Sequence, residues 1–125
     1  MTRIKSYTEL EQSKKLVEIL PIESADMFYA DLFVCNEHKY IVHPLESYGF
    51  KTFKDTKERT SKRLNFIPCW SLAALLSVLP NGNMLVKGNN GRYYCLSKDV
   101  MTKYYDNPVD ACVEMILKLR ELNLL

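Results

Sequence analysis

Cys69 is the residue best placed for chemistry, in the run PCWS at positions 68–71. We predict that a helix begins here, because the stretch 70–79 is apolar apart from two serines. A thiol at the start of a helix lies at the positive end of the helix dipole, which lowers its pKa and favours the nucleophilic thiolate. A cysteine hydrolase that uses Cys69 is therefore one hypothesis.

The positions of the histidines weaken that hypothesis. Cysteine proteases that place Cys before Trp at a helix start have their histidine far downstream, whereas His38 and His43 both precede Cys69. The glycine-rich approach of those enzymes is also missing. We expect Cys69 to begin a buried helix, and we assign no catalytic residue.

A metal site is the second chemical possibility, because Cys35, His38 and His43 lie close together in sequence. On a strand, however, residues five apart point to opposite faces unless a bulge intervenes. None of the four cysteines belongs to a CxxC pair, so a zinc framework is not indicated. We expect reduced cysteines, no metal and no cofactor.

The charge of the chain is concentrated in one segment. The formal net charge is +2, yet residues 51–63 hold six basic and two acidic residues, which leaves the remainder at −2. This composition predicts an exposed, flexible loop. A nucleic-acid-binding arm is the alternative function that it supports, through Lys57, Arg59, Lys62 and Arg63.

Two helix starts can be identified at the ends of the chain. Thr8 and Glu11 have capping-box spacing and predict an amphipathic helix that Pro21 ends. Asn107 followed by Pro108 predicts an N-cap and first helical residue for a last helix that runs to about residue 122. Its core-facing residues should be Val109, Cys112, Val113, Ile116 and Leu119.

Extended segments lie between these helices. The segment 22–35 is ambiguous: we favour a short helix capped by Ser24 and running through Met27 and Phe28, followed by extended chain. A strand fits 27–35 as well, with 32–35 then entering a turn at Asn36. Residues 39–43 and 101–106 are further extended segments. Asn90-Gly91 predicts a β-hairpin with a type I′ turn.

These elements predict a single α+β domain over residues 1–125, with about three principal helices and a small antiparallel sheet. Two tyrosine pairs, at 93–94 and 104–105, should each place one ring in the core and the other in solvent. The first residues have no apolar signal region, and the longest largely apolar stretch, 67–79, is too short to span a bilayer. We therefore expect a cytoplasmic protein without membrane insertion.

Three segments taken together resemble a group of small proteins carried by bacterial prophages and other mobile elements. They are TELEQSKKLVEILPIESADMFY, IPCWSLAALLSVLP and YYDNPVDACVEMILKLRELNLL, and the resemblance spans most of the chain except the centre, 32–65. The resemblance implies a genetic context rather than a reaction. In the pattern of that group alanine also serves at the position of Cys69, which counts against a nucleophile.

The leading functional hypothesis is a non-enzymatic accessory protein of a phage or mobile element that binds another protein or itself. Two observations support it. The sequence specifies a fold but no combination of acid, base and nucleophile that could form an active site. It also contains aromatic side chains that could lie at an interface. No small-molecule substrate is indicated.

The nucleic-acid alternative has a direct test. Replacing Lys57, Arg59, Lys62 and Arg63 together with Gln should weaken binding to a DNA or RNA oligonucleotide and flatten its dependence on salt, because fewer counterions are released. Fluorescence anisotropy at several salt concentrations measures both effects. Affinity and salt dependence that stay the same would exclude this segment as the binding arm.

Overall fold

A computed structural model describes residues 5–45 and 66–125. Its elements, in chain order, are α1 (Leu10–Leu16), a 3₁₀ turn (Ile22–Ser24), β1 (Met27–Val34), β2 (Glu37–Pro44), β3 (Phe66–Cys69), α2 (Leu72–Val78), β4 (Met84–Lys87), β5 (Tyr93–Leu96) and α3 (Pro108–Glu121). Three α-helices and two small antiparallel sheets in these ranges confirm the predicted α+β class. No helix within the described ranges combines the length and apolar character needed to cross a membrane.

The chain groups into two compact units. The N-terminal unit comprises the described residues of Glu9–Ser71, and the C-terminal unit comprises the described residues of Met1–Thr8 with Leu72–Leu125. The predicted basic loop, with Lys57, Arg59, Lys62 and Arg63, lies outside the described residues.

The sheet of the N-terminal unit is built around β1, which pairs antiparallel with β2 on one side and β3 on the other. This arrangement confirms the strand predicted at 39–43, which extends to both sides of that range. Aromatic packing holds the sheet, since the rings of Phe28 and Phe66 meet edge to face with centroids 5.1 Å apart. Phe28, Ala30 and Leu45 are buried together, with Ile22 and Phe66 packed against them.

The first helix begins one residue later than predicted. Its N-cap is Glu9, whose side chain accepts from the backbone of Gln12 while the Gln12 side chain accepts from the Glu9 amide. Thr8, the predicted cap, is fully buried instead. The prediction was wrong because Glu9 and Gln12 offer the same reciprocal bonding one position along.

The short helix predicted to run through Met27 and Phe28 was also wrong. Only the single 3₁₀ turn Ile22–Ser24 forms, and both residues belong to β1, opposite Pro44 and His43. The Ser24 hydroxyl donates back to the Pro21 carbonyl at 2.6 Å and accepts from the Trp70 indole, so it is engaged away from the amides that follow.

The turn between β1 and β2 lies where Asn36 indicated one, but its type was not predicted. Val34 pairs with Glu37, and the two residues between them, Cys35 and Asn36, both have positive φ angles of 53° and 62°. Two consecutive left-handed residues are the signature of a type I′ turn. Asn accepts this conformation readily, whereas Cys, with an unbranched side chain that forms no local cap, does so at a cost.

Cys69 does not begin a helix. It is the last residue of β3, and α2 starts three residues later at Leu72. The Asp26 carboxylate explains where the helix begins, because it accepts from both the amide and the hydroxyl of Ser71. The predicted all-round burial of this helix was wrong too: Ala74 and Leu75 are buried, but Leu76 is 42% exposed.

The last helix confirms its prediction. Asn107 Oδ1 accepts from the amide of Asp110 at 2.9 Å, and Pro108 is the first helical residue. The C-cap is Leu122. All five predicted core residues are buried: Val109, Cys112, Val113, Ile116 and Leu119.

The predicted hairpin is present, but its turn differs from the prediction. Gly88 donates its amide to Arg92 at 2.8 Å, which closes a three-residue loop, 89–91, and only Gly91 has a positive φ, of 77°. This is a three-residue loop with a left-handed final residue rather than a type I′ turn on Asn90-Gly91. The extended segment predicted at 101–106 forms no strand of its own and makes only two isolated bridges, from Met101 to Leu96 and from Tyr105 to Tyr93.

The β1–β2 turn yields a stability prediction. Cys35→Asn should raise the free energy of unfolding by about 0.5–1 kcal/mol, because Asn adopts left-handed backbone at lower cost. Chemical denaturation measures the change. Cys35→Ser is the matched control, since it removes the thiol without a comparable conformational benefit, and equal stability of the two variants would contradict the turn assignment.

Candidate interaction surface

One face of the C-terminal sheet is uncovered and apolar. Met84 pairs with Leu96, and Val86 pairs with Tyr94, so these four side chains lie on the same side of the β4–β5 hairpin. Met101 extends the row because it bridges to Leu96 from the next segment. We call this side the outer face; it comprises Met84, Val86, Tyr94, Leu96, Met101 and Tyr104.

Tyr104 joins the outer face through its ring. Its centroid lies 5.0 Å from that of Tyr94 in an edge-to-face arrangement. A Cβ added at Gly88 would lie 3.1 Å from the Tyr104 ring, so the ring covers the glycine closely. The base of the hairpin loop is therefore fixed to the outer face by aromatic packing.

The opposite side of the same sheet is buried against α3. Cys95 lies between Tyr94 and Leu96 in sequence, points the other way, and is fully buried next to Cys112 of α3. Thr102 is buried as well, and its hydroxyl accepts from the Cys95 amide at 2.9 Å. The alternation of β-strands thus assigns one side to the core and leaves the other to solvent.

Exposure distinguishes the outer face from an ordinary sheet surface. Met84 is 54% exposed, Met101 is 47% exposed and Tyr104 is 46% exposed. Val86, Tyr94 and Leu96 are half-buried between them. Six neighbouring apolar side chains without a charged one among them form the kind of surface that proteins use for association.

Charged side chains border this face at two places. The Lys118 ammonium donates to the Met101 carbonyl at 3.1 Å. The Arg92 guanidinium lies 3.4 Å from the Asp106 carboxylate. An apolar centre with a charged edge is the usual organisation of an interface.

The tyrosine pairs follow the predicted alternation only in part. Tyr104 is exposed beside a half-buried Tyr105, as predicted. Tyr93 and Tyr94 are both half-buried, because the Tyr104 ring covers Tyr94 from the solvent side. That coverage is a tertiary contact which strand alternation alone does not reveal.

The residues considered for nucleophilic or metal chemistry occupy separate places. Cys69 is fully buried at the end of a strand, without the helix N-terminus on which its activation depended. The ring of His43 packs against Phe28, with centroids 5.5 Å apart, while Cys35 is exposed in the turn. Among the residues that the structure describes, no three potential ligands form a metal-binding group.

Comparison of the chain with protein-family models, with curated proteins and with solved structures found no match.

The contact between Tyr105 and Glu114 of α3 predicts that the stability of the protein depends on pH. Burial and then the nearby Glu114 carboxylate, which accepts its hydroxyl, raise the pKa of Tyr105 above its ordinary value. Because the fold favours the neutral phenol, the resulting stability is present below the ordinary tyrosine pKa and is lost as pH rises through the raised one. Glu114→Gln should lower the pKa of Tyr105.

Ultraviolet absorbance titration measures this pKa. The curve of each protein's Tyr105→Phe form is subtracted from its own curve, which removes the signal of the other tyrosines. An unchanged difference titration in Glu114→Gln would contradict the contact.

Proposed function

We propose that this protein is a protein-interaction module that self-associates through its outer face. The observation that carries the proposal is the exposure of Met84, Met101 and Tyr104 on one side of a sheet whose other side is already buried. Covering these side chains removes apolar area from water, which is the main favourable contribution to protein association.

A second copy of the chain is the occupant that suits this face. In a two-fold symmetric contact each residue meets the same surface on its partner, so a patch of one charge would repel itself. The six outer-face residues carry no charge. Methionine adapts its shape to the opposing surface, and tyrosine adds a polar tip to a large apolar ring.

The wider role is part of the same proposal. The resemblance to small proteins of prophages and mobile elements supports an accessory function in that context, exerted by binding rather than by catalysis. The nucleic-acid alternative depends on Lys57, Arg59, Lys62 and Arg63, which lie outside the described residues, and it stays a prediction from sequence.

Concentration-dependent molar mass tests the proposal. In sedimentation equilibrium the mass should rise from that of the 14.6 kDa chain towards twice that value as the protein concentration increases. Met84→Glu combined with Met101→Glu should weaken dimerisation by about tenfold or more, because unpaired carboxylates would have to be buried in the contact.

Asn81→Glu combined with Asn89→Glu is the matched control, since it adds the same two charges at exposed positions outside the outer face. It should leave the dimerisation constant unchanged, and thermal unfolding should show that all variants remain folded. A wild-type chain that stays monomeric at every concentration, or a dimer indifferent to Met84→Glu combined with Met101→Glu, would overturn the proposal.

A further inference from the structure

Two of the four cysteines meet inside the C-terminal unit. Cys95 lies on β5 and Cys112 on α3, yet their sulfurs are 3.8 Å apart and joined by a thiol hydrogen bond. Both residues are 0% exposed. The two thiols come from different elements, so their proximity is a product of tertiary packing.

The other two cysteines provide an internal contrast. Cys35 is exposed in the β1–β2 turn, and Cys69 is buried at the end of β3. Both belong to the N-terminal unit. The chain therefore presents one close pair of thiols along with an accessible thiol and a buried thiol against which the pair can be compared.

We propose that Cys95 and Cys112 form a reversible intramolecular disulfide, with a small-molecule disulfide such as oxidised glutathione as the oxidant. Closing the sulfur separation from 3.8 Å to a bond of about 2.0 Å requires a shift of less than about 2 Å, within the reach of thiol rotation and a small movement of the strand on the helix.

The reaction balances in two exchange steps. The Cys95 thiolate attacks one sulfur of oxidised glutathione, forms a mixed disulfide and releases a glutathione thiolate, which takes up a proton. Cys112 then loses its proton to solvent or to a thiolate and attacks the Cys95 sulfur, which releases the second glutathione. The protein pair loses two electrons, and one oxidised glutathione becomes two reduced molecules.

The environment of the pair favours this order. The hydrogen bond with Cys112 lowers the pKa of Cys95 in spite of its burial. The same hydrogen bond and burial raise the pKa of Cys112, so it keeps its proton until its neighbour has reacted. Because both sulfurs are buried, the first step takes place when the sheet opens locally from α3, and it should be slower than the reaction of Cys35.

The backbone around Cys95 keeps the pair aligned after such an opening. Its amide donates to the Thr102 hydroxyl at 2.9 Å, and its carbonyl accepts from the Thr102 amide at 3.0 Å. On the helix side, the Asn107 cap fixes the turn that leads to Cys112. Each thiol is thus held by a hydrogen-bonded element on its own side.

The experiment uses the full chain with Cys35→Ser, so that the exposed thiol does not react. The protein is equilibrated in mixtures of reduced and oxidised glutathione, free thiols are alkylated, and trypsin fragments are weighed. Before alkylation, the intact mass should be lower by two hydrogens. After digestion, we expect a cross-link between the fragments 93–98 and 104–118, which are bounded by lysine and arginine. Dithiothreitol should reverse it.

Chemical denaturation of the oxidised and reduced forms measures how much the disulfide stabilises the protein. The link closes a loop from residue 95 to residue 112, which should lower the unfolding equilibrium constant roughly a hundredfold in the oxidised form. Cys69→Ala is the matched control and should leave the cross-link unaffected.

Three results would overturn the proposal. The first is that both thiols remain free in fully oxidised glutathione. The second is that each carries a separate glutathione, and the third is that the cross-link forms only in denaturant. None of these bears on self-association through the outer face, so the two proposals fail independently.

Discussion

The packing of one side of the β4–β5 sheet on α3 is the contact on which the C-terminal unit depends. Eight side chains of the 14-residue α3 are buried, and Cys95 and Thr102 are buried on the sheet side. Each fully buried aliphatic side chain contributes on the order of 1.5–3 kcal/mol, so no local turn or ion pair in this unit competes with it. Because one side of the sheet packs on α3, the apolar residues of its other side are exposed to solvent. These residues form the outer face.

The same contact explains which hairpin forms. A two-residue turn on Asn90-Gly91 would pair residue 89 with 92, and therefore Val86 with the buried Cys95. The observed loop shifts the pairing by one residue, so that Cys95 pairs with Leu85 and Val86 with Tyr94. A shift of one residue exchanges the two sides of a strand relative to its neighbour. Burial of Cys95 decides the register, and a strong local turn signal does not override it.

Features that depend on neighbours in the chain could be predicted, and those that depend on distant partners could not. The Asn107 cap and the buried stripe of α3 follow from spacing alone. The start of α2 depends on Asp26, which lies 45 residues before the Ser71 that it binds. The outer face was partly visible as apolar residues alternating in two strands, but its extent required the register and the third segment. Asn36 indicated a turn, but the two-residue type I′ turn on Cys35-Asn36 could not be predicted, because cysteine seldom occupies left-handed backbone.

Trp70 gives the two units separate spectroscopic signals. It is the one tryptophan of the chain, it is fully buried, and its indole donates to the Ser24 hydroxyl at 2.9 Å within the N-terminal unit. The tyrosine pairs at 93–94 and 104–105 belong to the C-terminal unit. Indole emission therefore reports the loss of structure around Ser24, whereas the difference in near-ultraviolet signal between the wild-type chain and its Tyr94→Phe form reports the hairpin. Coincident transitions would mean that the two units melt as one cooperative body, and separate transitions would mean that each holds its own stability.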